Sequence, residues 1–251
     1  MLGILYFSST GNSLYIAQKV QSSLGGEIRF IPTYSGDCSE YQKIIIVTPI
    51  YSYGMPTFVY DLFPKLDKKV EMIVIQNYGG MVGGADYYLY QYAINNHLNI
   101  KAVFTVKMPE NFTTTFTVPK FYVKSTLNKC DKYIAGIIEK ISQCDYVLPK
   151  PKRTREKEYL KNKANWHIIG ERFSVNTDCI KCGKCITICP VNNISFVENK
   201  IVFSDQCVAC LGCYHRCPKK AITYMKKTKK DRYINPKIDE SDIGNDLGIE
   251  K

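Results

Sequence analysis

Eight cysteines packed between positions 179 and 217 constrain this chain more than any other feature. They read Cys179-x2-Cys182-x2-Cys185-x3-Cys189-Pro190, then Cys207-x2-Cys210-x2-Cys213-x3-Cys217-Pro218. Corresponding cysteines stand 28 residues apart (207 − 179 = 217 − 189 = 28), so the segment is an internal duplication. Three thiols at x2 spacing wrap a tight turn around one cubane, while a fourth followed by proline leads away to ligate the other. The spacing therefore assigns Cys179, Cys182, Cys185 and Cys217 to one four-iron, four-sulfur cluster, and Cys207, Cys210, Cys213 and Cys189 to a second. Zinc sites place pairs of ligands across a longer spacer, a poorer match to runs of four.

The surroundings agree with that chemistry. Ile180, Ile186, Ile188, Val208 and Leu211 are placed to shield the clusters, and Gly183 and Gly212 fall where the chain passes close to sulfur. Lys181, Lys184, His215, Arg216, Lys219 and Lys220 are expected to ring them with positive charge, favouring the reduced state and raising the potentials above those of an acidic homologue. Residues 176–225 resemble the bacterial ferredoxin module with two [4Fe-4S] clusters, over both cysteine runs and their prolines. That resemblance implies one-electron transfer.

Charge needs one correction. Lys plus Arg less Asp plus Glu gives 34 − 23 = +11. Eight ligand thiolates against two oxidised cores of about +2 each remove about 4 units, and a bound phosphate would remove roughly 2 more. The loaded protein would carry about +5, so basicity alone does not argue for nucleic-acid binding, and no nucleic-acid motif accompanies it. No apolar run approaches membrane-spanning length. The opening Met1-Leu2-Gly3-Ile4-Leu5-Tyr6-Phe7 lacks the marks of an export signal, so a cytoplasmic location is expected and disulfides are not. Cys38, Cys130 and Cys144 are read as ordinary reduced thiols, and His97, His167 and His215 show no ligand spacing.

Upstream, short apolar runs alternate with longer amphipathic stretches. Leu2–Phe7, Glu27–Ile31, Lys43–Thr48, Val70–Gln76 and Lys101–Met108 read as strands, several of them apolar enough to be buried on both faces of a parallel sheet. Asn12–Leu24, Pro56–Leu66, Ala85–Leu98 and Val118–Ser142 read as helices. Such alternation predicts a doubly wound α/β unit with its ligand beyond the carboxyl ends of the strands.

Three loops at those ends carry the chemistry. Ser8-Ser9-Thr10-Gly11-Asn12-Ser13 runs straight into a helix, where hydroxyls, backbone amides and the helix dipole favour an anion. The bland reading of this loop is a Ser/Thr helix cap. Pro49-Ile50-Tyr51-Ser52-Tyr53-Gly54 and Asn77-Tyr78-Gly79-Gly80 combine flat aromatic faces with glycines that permit close approach. The first loop fits the flavodoxin form (S/T)-x-T-G-x-(S/T) at every fixed position, and residues 1–142 resemble a flavodoxin. The resemblance implies FMN, with its phosphate on Ser8–Ser13 and its ring between the other two loops. Where flavodoxins commonly carry acidic ring-flanking loops, this chain has basic and neutral ones; as a whole it resembles the flavodoxin–ferredoxin fusion proteins of anaerobic bacteria and archaea.

The expected architecture is thus an α/β flavodoxin-like five-stranded parallel sheet over residues 1–149 and an α+β two-cluster ferredoxin domain over 173–225. A basic linker, 150–172, joins them; seven basic residues against two acidic ones in 150–163 suit a solvated segment or a dock for an acidic redox protein. A charged extension, 226–251, follows and includes Lys226-Lys227-Thr228-Lys229-Lys230. The expected function is electron transfer between FMN, two [4Fe-4S] clusters and external redox partners. The alternative is direct reduction of a small molecule at the flavin, with Tyr51, Tyr53 and Tyr78 as the nearby proton donors; no catalytic residue is assigned. Trp166 is expected to pack rather than to cover a cofactor.

Overall fold

Apolar runs without alternation have to be covered on both faces, and in the computed structural model they are. The structure describes residues 1–114, 117–225 and 231–248, so the lysine run 226–230 lies outside the described residues. In chain order the first unit comprises β1 (Leu2–Tyr6), α1 (Asn12–Leu24), β2 (Glu27–Phe30), β3 (Lys43–Pro49), α2 (Thr57–Tyr60), β4 (Glu71–Tyr78), α3 (Ala85–Asn95), β5 (Ile100–Lys107) and α4 (Lys120–Ser142). The five strands form one parallel sheet in the order β2-β1-β3-β4-β5. That order is flavodoxin-like, and it places the switch point between β1 and β3. Ile44, Ile45, Ile46, Met72, Ile73, Val74 and Ile75 are all fully buried.

The helix expected over Pro56–Leu66 is instead split into α2 and a 3-10 turn at Phe63–Lys65. Pro64 lacks the N–H an α-helix would need there and its ring opposes the carbonyl four residues back. The other helices and all five strands fall within a few residues of the expected bounds.

Residues 150–172 are more than a linker. They form α5 (Glu156–Ala164) and α6 (Trp166–Glu171), which pack on an aromatic cluster. Tyr159 of α5 lies near the rings of Tyr60, Tyr88 and Trp166 and donates its hydroxyl to the Met55 carbonyl at 2.8 Å. Lys152 reaches Asp86 at 2.6 Å, and Arg155 donates to the Tyr53 hydroxyl at 3.0 Å. The charge pattern hid this, because the anchoring residues are a single tyrosine and a single tryptophan among lysines. Gly54 faces the Tyr159 ring so closely that an added Cβ would sit 2.4 Å from a ring carbon. Gly54→Ala is therefore expected to cost about 1–3 kcal/mol of stability, measured by urea unfolding. An unchanged midpoint would show that α5 yields freely.

The second unit holds β6 (Phe173–Val175), α7 (Lys184–Thr187), β7 (Ile194–Val197), β8 (Lys200–Phe203), α8 (Gly212–His215) and β9 (Ile222–Tyr224). β6 pairs antiparallel with β9, and β7 with β8. The 28-residue duplication reappears in the backbone. Lys181 and Ala209, Gly183 and Leu211, and Asn192 and Lys220 all take left-handed φ between 51° and 73°. Leu211, not Gly212, is thus the counterpart of Gly183.

The extension packs back over residues 231–248. The backbone of Leu247 exchanges two hydrogen bonds with Ile28 and so covers the free edge of β2. Glu240 receives Lys184 at 2.5 Å and lies 3.5 Å from Arg216, joining the extension to the cysteine-bearing unit. Among the described residues, no helix is long and apolar enough to cross a membrane.

Candidate functional site

Three thiols of each cysteine run share a cavity with the fourth thiol of the other run. One cavity is walled by Cys179, Cys182, Cys185 and Cys217, with Ile180, Ile201 and Ile222 among its apolar neighbours. A second is walled by Cys189, Cys207, Cys210 and Cys213, with Phe173, Ile194, Phe203 and Leu211. The crossed pairing arises because the chain leaving Cys189 or Cys217 crosses to the other half of the duplication. Backbone N–H groups approach the sulfurs in a repeated pattern: Lys181 to Cys179 at 3.4 Å and Ala209 to Cys207 at 3.4 Å. Asn193 to Cys189 at 3.2 Å and Ala221 to Cys217 at 3.3 Å complete it.

Burial pushes the Cys185 thiol up to about 11, aided by the neighbouring Cys217 and Cys179. Burial likewise pushes Cys210 up to about 12, with Cys207 and Cys189 contributing. Such thiols would be costly as bare thiolates, and positive metal charge offsets that cost. Among the described residues no three His, Cys, Asp or Glu side chains converge on a single metal ion. A cubane differs in that each cysteine contacts a different iron, so the two four-thiol cavities fit such a group.

The positive ring expected around the clusters is thinner than the residue count implies. His215 is 3% exposed, and burial pushes it down to about 4, leaving it neutral at pH 7. Its Nδ1 accepts from the Tyr233 N–H at 3.1 Å, so Nε2 donates to the Asn111 carbonyl at 2.7 Å. Lys184 and Arg216 are engaged by Glu240. Lys181, Lys219 and Lys220 remain exposed.

A third cavity, of about 230 Å³, opens beyond the carboxyl ends of β1, β3 and β4. Ser8, Ser9, Thr10, Asn12 and Ser13, then Pro49, Ile50, Tyr51, Ser52 and Tyr53, then Asn77, Tyr78, Gly79 and Gly80 line it. Gly11 and Gly54, read as part of the same loops, do not line it. Gly11 instead shapes the turn with φ of 91°, and its N–H donates to the Ser8 Oγ at 2.9 Å. No side chain caps α1, so its first turn faces the Ser8–Ser13 loop without an internal acceptor. Gly79 lies so close to Glu110 that an added Cβ would fall 2.6 Å from its Cα. An uncapped helix end among buried hydroxyls, with tyrosines alongside, fits a phosphate joined to a flat ring.

The sequence pattern missed part of this wall. Pro109, Glu110, Asn111 and Phe112, after β5, contribute, as do Met81, Trp166 and Ile169. The rule that ligands sit outside strand ends would have reached the loop after β5; nothing local marks Met81 or Ile169. Trp166 both packs and lines the cavity, 3% exposed, with its ring 6.5 Å from that of Tyr51. Tyr51 in turn lies 3.3 Å from Ser9 Oγ, sharing a hydrogen bond, and burial raises its phenol well above the ordinary value.

Ala209 and Leu211 also belong to this wall. They flank Cys210. A Cβ on Gly212 would lie 3.5 Å from the Ser9 Cβ and 3.8 Å from the Cys210 sulfur. The Cys189/Cys207/Cys210/Cys213 cavity therefore abuts the loop-lined cavity directly.

Residues 178–221 match the family model of the 4Fe-4S dicluster domain. No curated protein matches the chain. Among solved structures, a flavodoxin from the domain Archaea shares 15% identity over 57% of this chain and 99% of its own, with a TM-score of 0.38. The two-electron reduced flavodoxin of Megasphaera elsdenii shares 20% over 42% of this chain and 85% of its own, at 0.37. A flavoprotein in complex with FMN from Lactobacillus acidophilus shares 17% over 52% and 97%, at 0.36. Likeness at these scores adds nothing to the sheet order, on which the fold assignment rests. The chain joins a doubly wound unit of flavodoxin-like strand order to a 4Fe-4S dicluster domain.

Proposed function

We propose that this chain is an electron-transfer iron–sulfur flavoprotein holding FMN in the cavity of the first unit and two [4Fe-4S] clusters in the second. The observation that carries the reading is the shared wall: Ala209 and Leu211 belong both to the Cys210 loop and to the cavity of the sheet unit. Bound there, FMN would exchange two electrons while each cluster exchanges one, which makes the pair a converter between the two kinds of step. Residues 1–172 would serve the flavin and 173–225 the clusters, with 231–248 bound to both.

The chain's own residues set the geometry. Ser8–Ser13 and the uncapped end of α1 would hold the phosphate. Tyr51, fixed by Ser9 and by the edge of Trp166, would set one boundary of the ring site. His215 ties α8 to Asn111 and so fixes the loop after β5 against the cluster unit. Direct reduction of a small molecule would instead require a proton donor beside the ring. Tyr51 serves poorly, since burial strengthens its hold on its proton.

Anaerobic purification with cofactor analysis tests the reading. About eight irons and about eight sulfides per chain are expected, with about one FMN. Protein loaded with iron that takes up no FMN would defeat it.

A further inference from the structure

The two cluster cavities differ in what surrounds them. The Cys189/Cys207/Cys210/Cys213 cavity is enclosed: Val208 and Leu211 are buried, Ile194 and Phe173 close it, and the sheet unit covers Cys210. The Cys179/Cys182/Cys185/Cys217 cavity meets solvent, because Cys182 is exposed and Ile180 is 57% exposed. Phe196, 43% exposed, stands 3.9 Å from where a Gly183 Cβ would lie, beside the same cysteine turn. An exposed isoleucine and phenylalanine thus border the turn that carries the exposed Cys182.

The rim is basic. Lys181 and Lys219 line this cavity and Lys220 adjoins it; all three are exposed, and none joins an ion pair among the described residues. Exposed Asp178, just before Cys179, and exposed Glu198, at the β7–β8 turn, are the acids nearby in sequence. The other basic stretch, 150–163, is partly spent internally, since Lys152 binds Asp86 and Arg155 binds Tyr53. It also lies against the aromatic cluster of the sheet unit rather than beside the exposed thiol.

Resting on the reading of the chain as an electron carrier, we propose that the face framed by Ile180 and Phe196 and rimmed by Lys181, Lys219 and Lys220 docks an acidic one-electron carrier protein. A cluster held by Cys179, Cys182, Cys185 and Cys217 would be the port, and one held by Cys189, Cys207, Cys210 and Cys213 would lie next to the flavin cavity. Each transfer there would move a single electron between the carrier, reduced by one electron or oxidised by one, and the group these cysteines hold, with no bond made or broken. The charge complement selects the carrier and speeds encounter, while the two apolar side chains let it approach the exposed thiol without trapping water. A protein of basic or neutral surface would find no such complement.

The test uses the cluster-loaded protein and a small acidic [2Fe-2S] ferredoxin as probe, with binding followed by calorimetric titration. The triple variant K181E/K219E/K220E is expected to weaken binding at least about tenfold when compared with wild type at equal iron content. The milder K181Q/K219Q/K220Q should show a smaller loss in the same direction, and serves where the first variant loses iron. Raising salt from ~20 mM to ~300 mM should weaken the wild type and leave the charge-reversed variant nearly unmoved. Ile180→Ser should lower affinity without changing that salt dependence. Equal binding by wild type and the Lys variants would overturn the proposal, as would a loss produced only by reversing Lys157, Lys161 and Lys163, or self-association in place of carrier binding. Iron and FMN present without carrier binding would defeat this inference alone; carrier binding without FMN would defeat the flavin reading alone.

Discussion

Replacing Cys217 by alanine is expected to empty the cavity of Cys179, Cys182 and Cys185, although all three lie more than thirty residues upstream. The nearer run, Cys207, Cys210 and Cys213, should keep its cluster, because its fourth thiol is Cys189. Iron should fall from about eight to about four per chain. Anaerobic alkylation followed by peptide mass mapping gives the sharper readout. Cys179, Cys182 and Cys185 should become labelled while Cys189, Cys207, Cys210 and Cys213 stay protected. Labelling of Cys207, Cys210 and Cys213 instead would break the crossed pairing. Cys189→Ala should show the reverse pattern. It should also loosen FMN, since Leu211 lines both cavities and Ala209 of the same loop lines the flavin one.

That pairing was legible because the signal is covalent in character: thiols at fixed spacing and a proline that redirects the chain. The sheet was legible for a different reason. Runs such as Ile44-Ile45-Ile46-Val47 have no polar face to show solvent, which leaves a doubly covered parallel strand. Glycine- and tyrosine-rich loops at predictable strand ends then located most of the third cavity. What stayed hidden depends on long-range packing. Tyr159 and Trp166 look like isolated aromatics in a basic stretch, and only folding shows that they close on Tyr60, Tyr88 and Tyr51. His215 looked cationic, yet burial makes it neutral, with its ring held between the Asn111 carbonyl and the Tyr233 N–H. Charge on a list of residues says little until burial and partners are known.

Truncation after residue 230 is expected to cost the protein its tight flavin binding, roughly 10–100-fold in affinity, since two or more buried hydrogen bonds at the phosphate loop are lost together. Asn12, 6% exposed, donates to the Pro109 carbonyl at 3.0 Å. Its Oδ1 accepts from the Tyr233 hydroxyl at 2.6 Å and from Asn235 Nδ2 at 3.2 Å. The Asn235 N–H also donates to the Thr10 carbonyl at 2.8 Å, and Asn235 and Ile238 pack over Gly11. The loop that would grip the phosphate is therefore shaped from behind by a segment more than two hundred residues away. Removing it also strips the partners of the Tyr6 hydroxyl, which donates toward the Asp242 and Asn245 carbonyls and accepts from the Gly244 N–H. Tyr233→Phe is the milder variant, because Asn235 still reaches Asn12. It should lose about 1 kcal/mol of binding, near fivefold in Kd, with the fold intact. Fluorescence titration of the cluster-loaded protein with FMN measures both, and a truncated chain that binds as tightly as the full one would refute the role given to this segment. The same segment bonds to the cluster unit through Glu240 and through the Tyr233 N–H to His215. Its loss should uncouple the two units, turning one cooperative thermal transition into two.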